Sequence, residues 1–184
     1  MTHHAALSDE QADADLVTRW TGGDQRAATA LVARHADAVA RFVASLGARD
    51  DVQEIVQDTF VRAFGSLDGF RGDSAFRTWL FTIARRLVLD RRRATRRRGV
   101  QVEVQEADVR TEFDALDAVV ADETEGRMRA ALDRLTPTQR EVFTLRVGEG
   151  MSYREIADAA GTTEGAARVH YHNAMRAIKE FLDD

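Results

Sequence analysis

The chain contains no cysteine and only one proline among its 184 residues. Without cysteine there is no disulfide, no thiolate metal ligand and no cysteine nucleophile. A single proline leaves long helices uninterrupted, and the many alanine, leucine, arginine and glutamate residues favour helix. No stretch alternates apolar and polar residues as a half-buried strand does. The sequence therefore predicts an all-α protein.

Long apolar runs and catalytic motifs are also missing. No window approaches the roughly 18 apolar residues of a membrane-spanning helix, and the N-terminus has no apolar signal core. We find no Ser/His/Asp set, no glycine-rich phosphate loop and no cluster of metal ligands. The sequence thus predicts a cytoplasmic protein that is not inserted in a membrane, is not an enzyme, and has neither a cofactor nor a metal site.

The formal net charge of −5 hides a strong separation of charge along the chain. Residues 71–98 carry 10 basic and 2 acidic side chains, a net charge of +8, whereas residues 99–126 carry 1 and 9, a net charge of −8. Residues 1–70 have a net charge of −5, and residues 127–184 are neutral. Because the charge is segregated, the acidic mean does not exclude a nucleic-acid partner.

The basic segment begins as an apolar helix, SAFRTWLFTIARRLVLDRRRATRRR. Its apolar residues Phe76, Leu80, Ile83 and Leu87 follow the helical period of a buried face. Eight arginines lie between residues 85 and 98, with a single acidic residue among them. A solvated amphipathic helix is one interpretation. Guanidinium groups bind phosphate in a fork and stack on bases, so nucleic-acid binding is favoured.

The segments before this helix predict a small helical bundle. A short helix is expected at residues 15–20, after a frayed segment 1–14, and a longer helix follows the cap Asp24. His35 lies beside the apolar stripe of that helix and is expected to be a packed residue. The next helix, at residues 49–66, has an apolar face and an acidic face. For the acidic face, a solvated surface and a docking surface for a basic partner remain equally open.

Residues 99–126 are acidic and poor in apolar side chains, which predicts a flexible linker between domains 1–98 and 127–184. Its negative charge adjoins the arginine segment, so we expect residues 103–125 of the free protein to lie near the arginines and compete with DNA. The last domain reads as a helix-turn-helix. Thr136 and Ser152 open capping boxes, Gly161 breaks the chain, and Thr163 caps a final helix, so helices are predicted over 137–147, 153–160 and 164–181. The inward stripe of the last helix is predicted to consist of Ala167, Tyr171, Ala174 and Ile178. A helical hairpin used for protein contact is the alternative.

Two parts of the chain resemble one family. The run DVQEIVQDTFVRAF followed by FRGDSAFRTWLFTIARRLVLDRRR resembles region two of the extracytoplasmic-function sigma factors. The run LDRLTPTQREVFTLRVGEGMSYREIADAAGTTEGAARVHYHNAM is similar to their region four. The order of the parts and the missing region three match that two-domain group. The resemblance implies a subunit that binds core RNA polymerase and directs promoter recognition and transcription initiation.

The resemblance also implies partners and contact residues. Core polymerase would bind through its β′ clamp helices and β flap, with promoter DNA as the second partner, an anti-sigma factor as an open option, and a monomer in the free state. The helix that docks on the clamp would use Asp51, Glu54, Gln57 and Asp58. The −10 element would be held by Phe70, Arg71, Arg77, Trp79, Arg85, Arg86, Arg91, Arg92 and Arg93. The −35 element would be read by Thr163, Arg168, Val169, His172, Asn173 and Arg176.

Alternatives to these assigned roles remain at several positions and for the function as a whole. Trp79 also fits a purely structural place in the core. The chain departs from the family pattern at Arg86 and along the reading helix, at Arg168, Val169, His170 and Asn173, so a −35 sequence preference does not transfer. A stand-alone helix-turn-helix regulator that binds DNA as a dimer is the alternative function. Such a regulator needs neither an acidic docking helix nor a −10 helix.

Overall fold

The computed structural model of the chain describes residues 2–48, 50–67, 70, 72, 74–97 and 119–183, and every regular element in these ranges is a helix. The prediction of an all-α protein is confirmed. None of the helices in the described ranges is both long and apolar enough to cross a membrane. The helices are α1 (Thr2–Thr21), α2 (Gln25–Ser45), α3 (Val52–Gly65), α4 (Phe76–Arg97), α5 (Val119–Asp133), α6 (Pro137–Phe143), α7 (Tyr153–Ala160) and α8 (Glu164–Asp183).

Helices α1 to α4 form the first group and pack around aromatic and aliphatic side chains. The predicted cap Asp24 accepts a hydrogen bond from the backbone N–H of Arg26, which fixes the start of α2. The rings of Phe42 on α2 and Phe81 on α4 lie 5.0 Å apart between centroids, and both are fully buried. Of the apolar stripe predicted for the arginine helix, Phe76, Leu80 and Leu87 are buried and Ile83 is half-buried.

Helix α1 starts far earlier than predicted, since the segment expected to fray is helical from Thr2. Buried Asp13 lies 2.9 Å from Arg34 Nε and 2.8 Å from His35 Nε2, both on α2. Trp20 packs on Phe64 with ring centroids 5.2 Å apart. Such tertiary contacts stabilise a helix that its own polar composition does not favour. His35 is buried, as expected of a packed residue.

Helices α5 to α8 form the second group. Ala131 and Leu135 pack with Ala174 and Ile178, which joins the end of α5 to α8. Both predicted capping boxes are present, and Gly161 adopts the left-handed conformation (φ 62°) in the turn before α8. The helix predicted over 137–147 is shorter, because residues Thr144–Gly148 form a π-helical turn. Helix α5 runs across the predicted boundary after residue 126, which itself stays a prediction.

The two groups share a core, which the sequence did not predict. Buried Leu80 and Phe81 of α4 belong to one apolar cluster with Leu145, Met151 and Ile156 of the second group. Helix α7 packs directly on α4, and α2 contacts α6. The arginine helix is therefore sandwiched between its own bundle and the helix-turn-helix group.

Candidate nucleic-acid interface

Two of the arginines on α4 contact the helix-turn-helix group. Arg85 Nε donates to Glu141 Oε1 at 2.7 Å. Arg77 Nη1 donates to the carbonyl oxygen of Glu149 at 2.9 Å, and its Nη2 lies 3.8 Å from Glu155 Oε1. Burial raises the pKa of the Glu141 carboxyl, although Arg85 acts in the opposite direction. Arg77 and Arg85 of the predicted −10 surface are thus bound by protein carboxylates and a carbonyl.

Arg91 contacts the acidic helix of its own bundle. Its guanidinium lies 2.8 Å from Glu54, 3.2 Å from Asp58 and 3.7 Å from Asp51. The hydrogen bond from Arg91 lowers the pKa of Glu54, so this carboxylate stays ionised to a lower pH than an isolated glutamate. Three of the four predicted docking residues therefore lie together, and Gln57 is exposed on the same helix.

The remaining −10 residues differ in their surroundings. Arg92 donates to the carbonyl of Leu46, close to Gly47, where an added side chain would come within 3.1 Å of Arg92 Nη2. Arg86 is exposed, and Arg93 is exposed with only a 3.6 Å contact to Asp90. Arg71 lies outside the described residues. The exposed arginines among the described −10 residues are thus Arg86, Arg92 and Arg93.

An aromatic cluster forms where the loop meets α4. The ring of Phe70 lies 5.0 Å from Trp79 and 5.7 Å from Phe76. Phe76 is buried, whereas Phe70 and Trp79 are half-buried. Trp79 therefore has part of its ring in the core and part at the surface. The cluster offers aromatic surface on which an unstacked base can lie.

Helix α8 presents the predicted −35 residues. Thr163 Oγ1 accepts from the backbone N–H of Ala166, so this hydroxyl caps the helix. Arg168 is exposed, and its guanidinium lies 3.1 Å from Glu164 and 5.2 Å from the ring centroid of Tyr153. These two contacts hold a long flexible side chain at the start of the helix.

The next turns of α8 carry the other predicted residues. Val169 and His172 are exposed, and half-buried Asn173 accepts a hydrogen bond from Arg176 at 3.2 Å. Of the predicted inward stripe, Ala167, Ala174 and Ile178 are buried and Tyr171 is half-buried. The predicted −35 residues therefore share the outward side of one helix, as reading of a groove requires.

Sequence reasoning missed Glu141, Glu149 and Arg41. Arg41 Nη2 lies 3.0 Å from Glu149 Oε1, and both glutamates are buried. The sequence could have indicated Glu141, because it lies with Val142 on the buried side of α6. A charged residue on a buried helix face needs a partner. The predicted contact of the acidic linker with the arginines stays a prediction, because residues 98–118 lie outside the described ranges.

An apolar groove of about 600 Å³ lies between α2 and α3, beside the docking residues. Its lining includes Val32, Val56 and the exposed Val61, with Gln57 at the edge. Within the described ranges, no three histidine, aspartate or glutamate side chains are grouped so that they could hold a metal ion.

Comparisons with known proteins agree with these surfaces. The pattern of Sigma-70 region 2 matches residues 31–98, and that of Sigma-70, region 4 matches residues 125–178. The ECF RNA polymerase sigma-E factor of Salmonella typhimurium is 33% identical over 181 residues, which cover 94% of this chain and 95% of the relative. RNA polymerase sigma factor NccH of Alcaligenes xylosoxydans xylosoxydans is 35% identical over 96% of this chain and 97% of its own.

Solved structures show the same likeness. CnrH, solved in complex with the cytosolic domain of CnrY, is 32% identical with a TM-score of 0.69, and the alignment covers 94% of this chain and 97% of CnrH. The sigma factor RpoE of Bartonella quintana, solved with the anti-sigma factor NepR, is 26% identical with a TM-score of 0.64, over 84% of this chain and 96% of RpoE. A stand-alone regulator is disfavoured, because both sigma regions are present in the expected order. The chain belongs to the extracytoplasmic-function (ECF) family of RNA polymerase sigma factors.

Proposed function

We propose that this sigma factor carries three working surfaces. The docking face consists of Asp51, Glu54, Gln57 and Asp58 on and just before α3. The −10 face consists of Phe70, Arg71, Arg77, Trp79, Arg85, Arg86, Arg91, Arg92 and Arg93. The reading face consists of Thr163, Arg168, Val169, His172, Asn173 and Arg176 on and just before α8. With these three surfaces the chain acts in the cytoplasm as a promoter-specificity subunit of RNA polymerase and has no catalytic activity of its own.

The docking face binds core RNA polymerase at its β′ clamp helices. The supporting observation is that Asp51, Glu54 and Asp58 gather on one guanidinium, that of Arg91. A surface that holds one cation this way is suited to a cationic partner, which would steer the encounter and fix its register. The apolar groove beside Gln57 extends this surface with a hydrophobic patch.

The −10 face holds the melted non-template strand. A flipped base needs stacking surface, which Phe70 and half-buried Trp79 provide. The strand also needs cations along its backbone, and α4 supplies them over its whole length. Arg86 and Arg93 are exposed for such contacts.

The reading face enters the major groove of the −35 element. Arg168 is exposed near the start of the second helix of a helix-turn-helix, where base contacts are made. Arginine can donate two hydrogen bonds to guanine, and asparagine can pair with adenine in the same way. Exposed Val169 offers an apolar contact of the kind that a thymine methyl group accepts.

Two further partners follow from the family. The polymerase β flap is proposed to hold the helix-turn-helix domain. RpoE was solved with an anti-sigma factor, and we extend a partner of that type to this chain. The free protein is proposed to be a monomer.

Run-off transcription tests this function. Purified core RNA polymerase is mixed with the chain and with DNA from the chain's own upstream region. A discrete transcript that requires the chain is the expected result, together with co-migration of the chain and core polymerase in size-exclusion chromatography. Binding to DNA as a dimer, with no association with core polymerase, would instead support the stand-alone regulator.

A further inference from the structure

Tyr153 of α7 belongs to none of the three working surfaces, yet two guanidinium groups lie over its ring. That of Arg168, on the reading face, lies 5.2 Å from the ring centroid, and that of Arg146 lies 4.8 Å from it. At these distances a guanidinium is attracted to the electron-rich face of an aromatic ring. The ring of Tyr153 is therefore a platform for the first arginine of the reading face.

The position of this ring is fixed by its neighbours. Tyr153 is the first residue of α7, whose start is set by a capping box. The ring of Tyr171 on α8 packs edge-on against it, with centroids 6.0 Å apart. Arg146 is itself anchored, because its Nη1 donates to the carbonyl oxygen of Met151 at 2.6 Å. The platform thus belongs to the packed framework of the domain, whereas Arg168 is an exposed side chain that lies on it.

The other contact of Arg168 is a weaker constraint. The Glu164 carboxylate lies 3.1 Å from Arg168 Nη2, but both side chains are more than half exposed. An exposed ion pair of this kind contributes little and is screened by salt. Tyr153 is half-buried, and a cation–π contact strengthens when it is partly removed from water. The ring, more than the carboxylate, therefore decides where the guanidinium lies.

We propose that Tyr153 is a positioning residue that determines specificity at the −35 element, because its ring orders the Arg168 guanidinium before DNA binds. Recognition of guanine by arginine requires two donors aimed at two acceptors on one base edge. A guanidinium that is already ordered loses less rotamer entropy on binding, and it less readily adopts the orientations that other bases accept. The effect on base preference rests on the function proposed above, whereas the ordering of Arg168 in the free protein does not.

The ordering can be measured by NMR in the free full-length chain. Protons held over an aromatic face resonate upfield, so the side-chain signals of Arg168, assigned by their absence in Arg168→Lys, report the contact. We expect the upfield shift in the unmodified protein and in Tyr153→Phe, and its loss in Tyr153→Leu. The signals of Arg176 are the control, because Arg176 contacts Asn173 and should not respond. Ordinary shifts for Arg168 in the unmodified protein, or shifts that survive Tyr153→Leu, would overturn the proposal.

The effect on reading is measured by transcription with core RNA polymerase from promoters that carry single −35 substitutions. Tyr153→Leu keeps apolar volume but removes the ring, so it should reduce the preference at the base pair read by Arg168 by about three- to tenfold. Transcription from promoters substituted elsewhere should change by less than about twofold. Tyr153→Phe should keep the preference of the unmodified chain, because the ring face remains. In the Arg168→Ala background, Tyr153→Leu should reduce no preference further.

The transcription results can contradict the proposal in three ways. A loss by one common factor at every promoter in Tyr153→Leu would mean that the ring supports the domain and not the reading of a base. Equal losses in Tyr153→Phe and Tyr153→Leu would assign the role to the hydroxyl group. A further loss of preference in the Arg168→Ala background would mean that Tyr153 acts without Arg168. Failure of the unmodified chain to transcribe contradicts the proposed function, and the NMR measurement still decides whether the ring orders Arg168.

Discussion

Arg85 and Glu141 form the shortest ion pair between the two helix groups, yet the two residues differ in burial. Glu141 is 7% exposed and Arg85 is 29% exposed. Removal of the guanidinium leaves a buried carboxylate without its partner, whereas removal of the carboxylate charge leaves a cation that water can reach. The two substitutions should therefore have unequal effects on stability.

We expect Arg85→Ala to lower the free energy of unfolding by roughly 2–3 kcal/mol, and Glu141→Gln to change it by less than about 1 kcal/mol. Because the folded pKa of Glu141 is raised, the folded state takes up its proton more readily than the unfolded state does. The penalty of Arg85→Ala should hence shrink as the pH is lowered, because the raised pKa lets the carboxyl take up a proton and lose its charge. Urea unfolding at several pH values measures both effects, and equal losses for the two variants would contradict the asymmetry.

The reading face makes a second prediction at this scale. Arg168 is held by Glu164 and the ring of Tyr153, whereas Lys179 lies three turns further along α8 and is exposed. Arg168→Ala should weaken transcription and relax the preference at one −35 base pair, worth roughly 1–3 kcal/mol. Lys179→Ala should weaken transcription from all promoters alike. It should also lower the slope of the logarithm of DNA affinity against the logarithm of salt concentration by about one.

The measurement is transcription from a library of single −35 substitutions at several salt concentrations. A uniform loss of transcription across the library for Arg168→Ala would mean that Arg168 contacts the DNA backbone rather than a base. The bases would then be read by another side of α8.

At the scale of elements, α3 and α4 are coupled through Arg91. Arg91 belongs to the proposed −10 face, and its guanidinium is bound by the carboxylates of the docking face. The charges of the two faces therefore partly neutralise one another. If the polymerase binds the carboxylates of Glu54 and Asp58, Arg91 loses these ion pairs and can bind a DNA phosphate instead. Docking and strand binding should therefore favour one another.

Reversal of the docking charges tests this coupling. We expect Glu54→Lys/Asp58→Lys to weaken binding to core polymerase by at least about tenfold, while binding of the free protein to DNA does not decrease, because Arg91 loses its competitors. The control is Glu10→Lys/Asp15→Lys, which makes the same change in charge on exposed positions of α1. Titration of labelled core polymerase measures the affinity. Equal losses in both variants would mean that only net charge matters.

The elements themselves could largely be predicted, because their signals are local. The spacing of Phe76 and Leu80, the capping boxes at Thr136 and Ser152, and the left-handed Gly161 all act within one or two helical turns. The part of α1 before residue 15 was missed because Asp13 is held by Arg34 and His35 of another helix. The π-helical turn was missed because its closing bond, from Glu149 N–H to the carbonyl of Thr144, has no distinct residue pattern.

At the scale of the whole molecule, the contact between the groups could not be predicted. Arg41 and Glu149 are 108 residues apart in sequence, and Arg85 and Glu141 are 56 apart. Nothing in the local periodicity pairs them. The roles of the three working surfaces came from family resemblance and stay predictions.

In the free chain the helix-turn-helix group packs on α4, and we expect the two groups to separate when the chain binds core RNA polymerase. Fluorophores on Ala33→Cys of α2 and Glu180→Cys of α8 report the separation of the two groups, since both positions are exposed and the chain has no other cysteine. Energy transfer should be high in the free protein and should fall when core RNA polymerase is added. Equal energy transfer in the free and polymerase-bound protein would contradict the account.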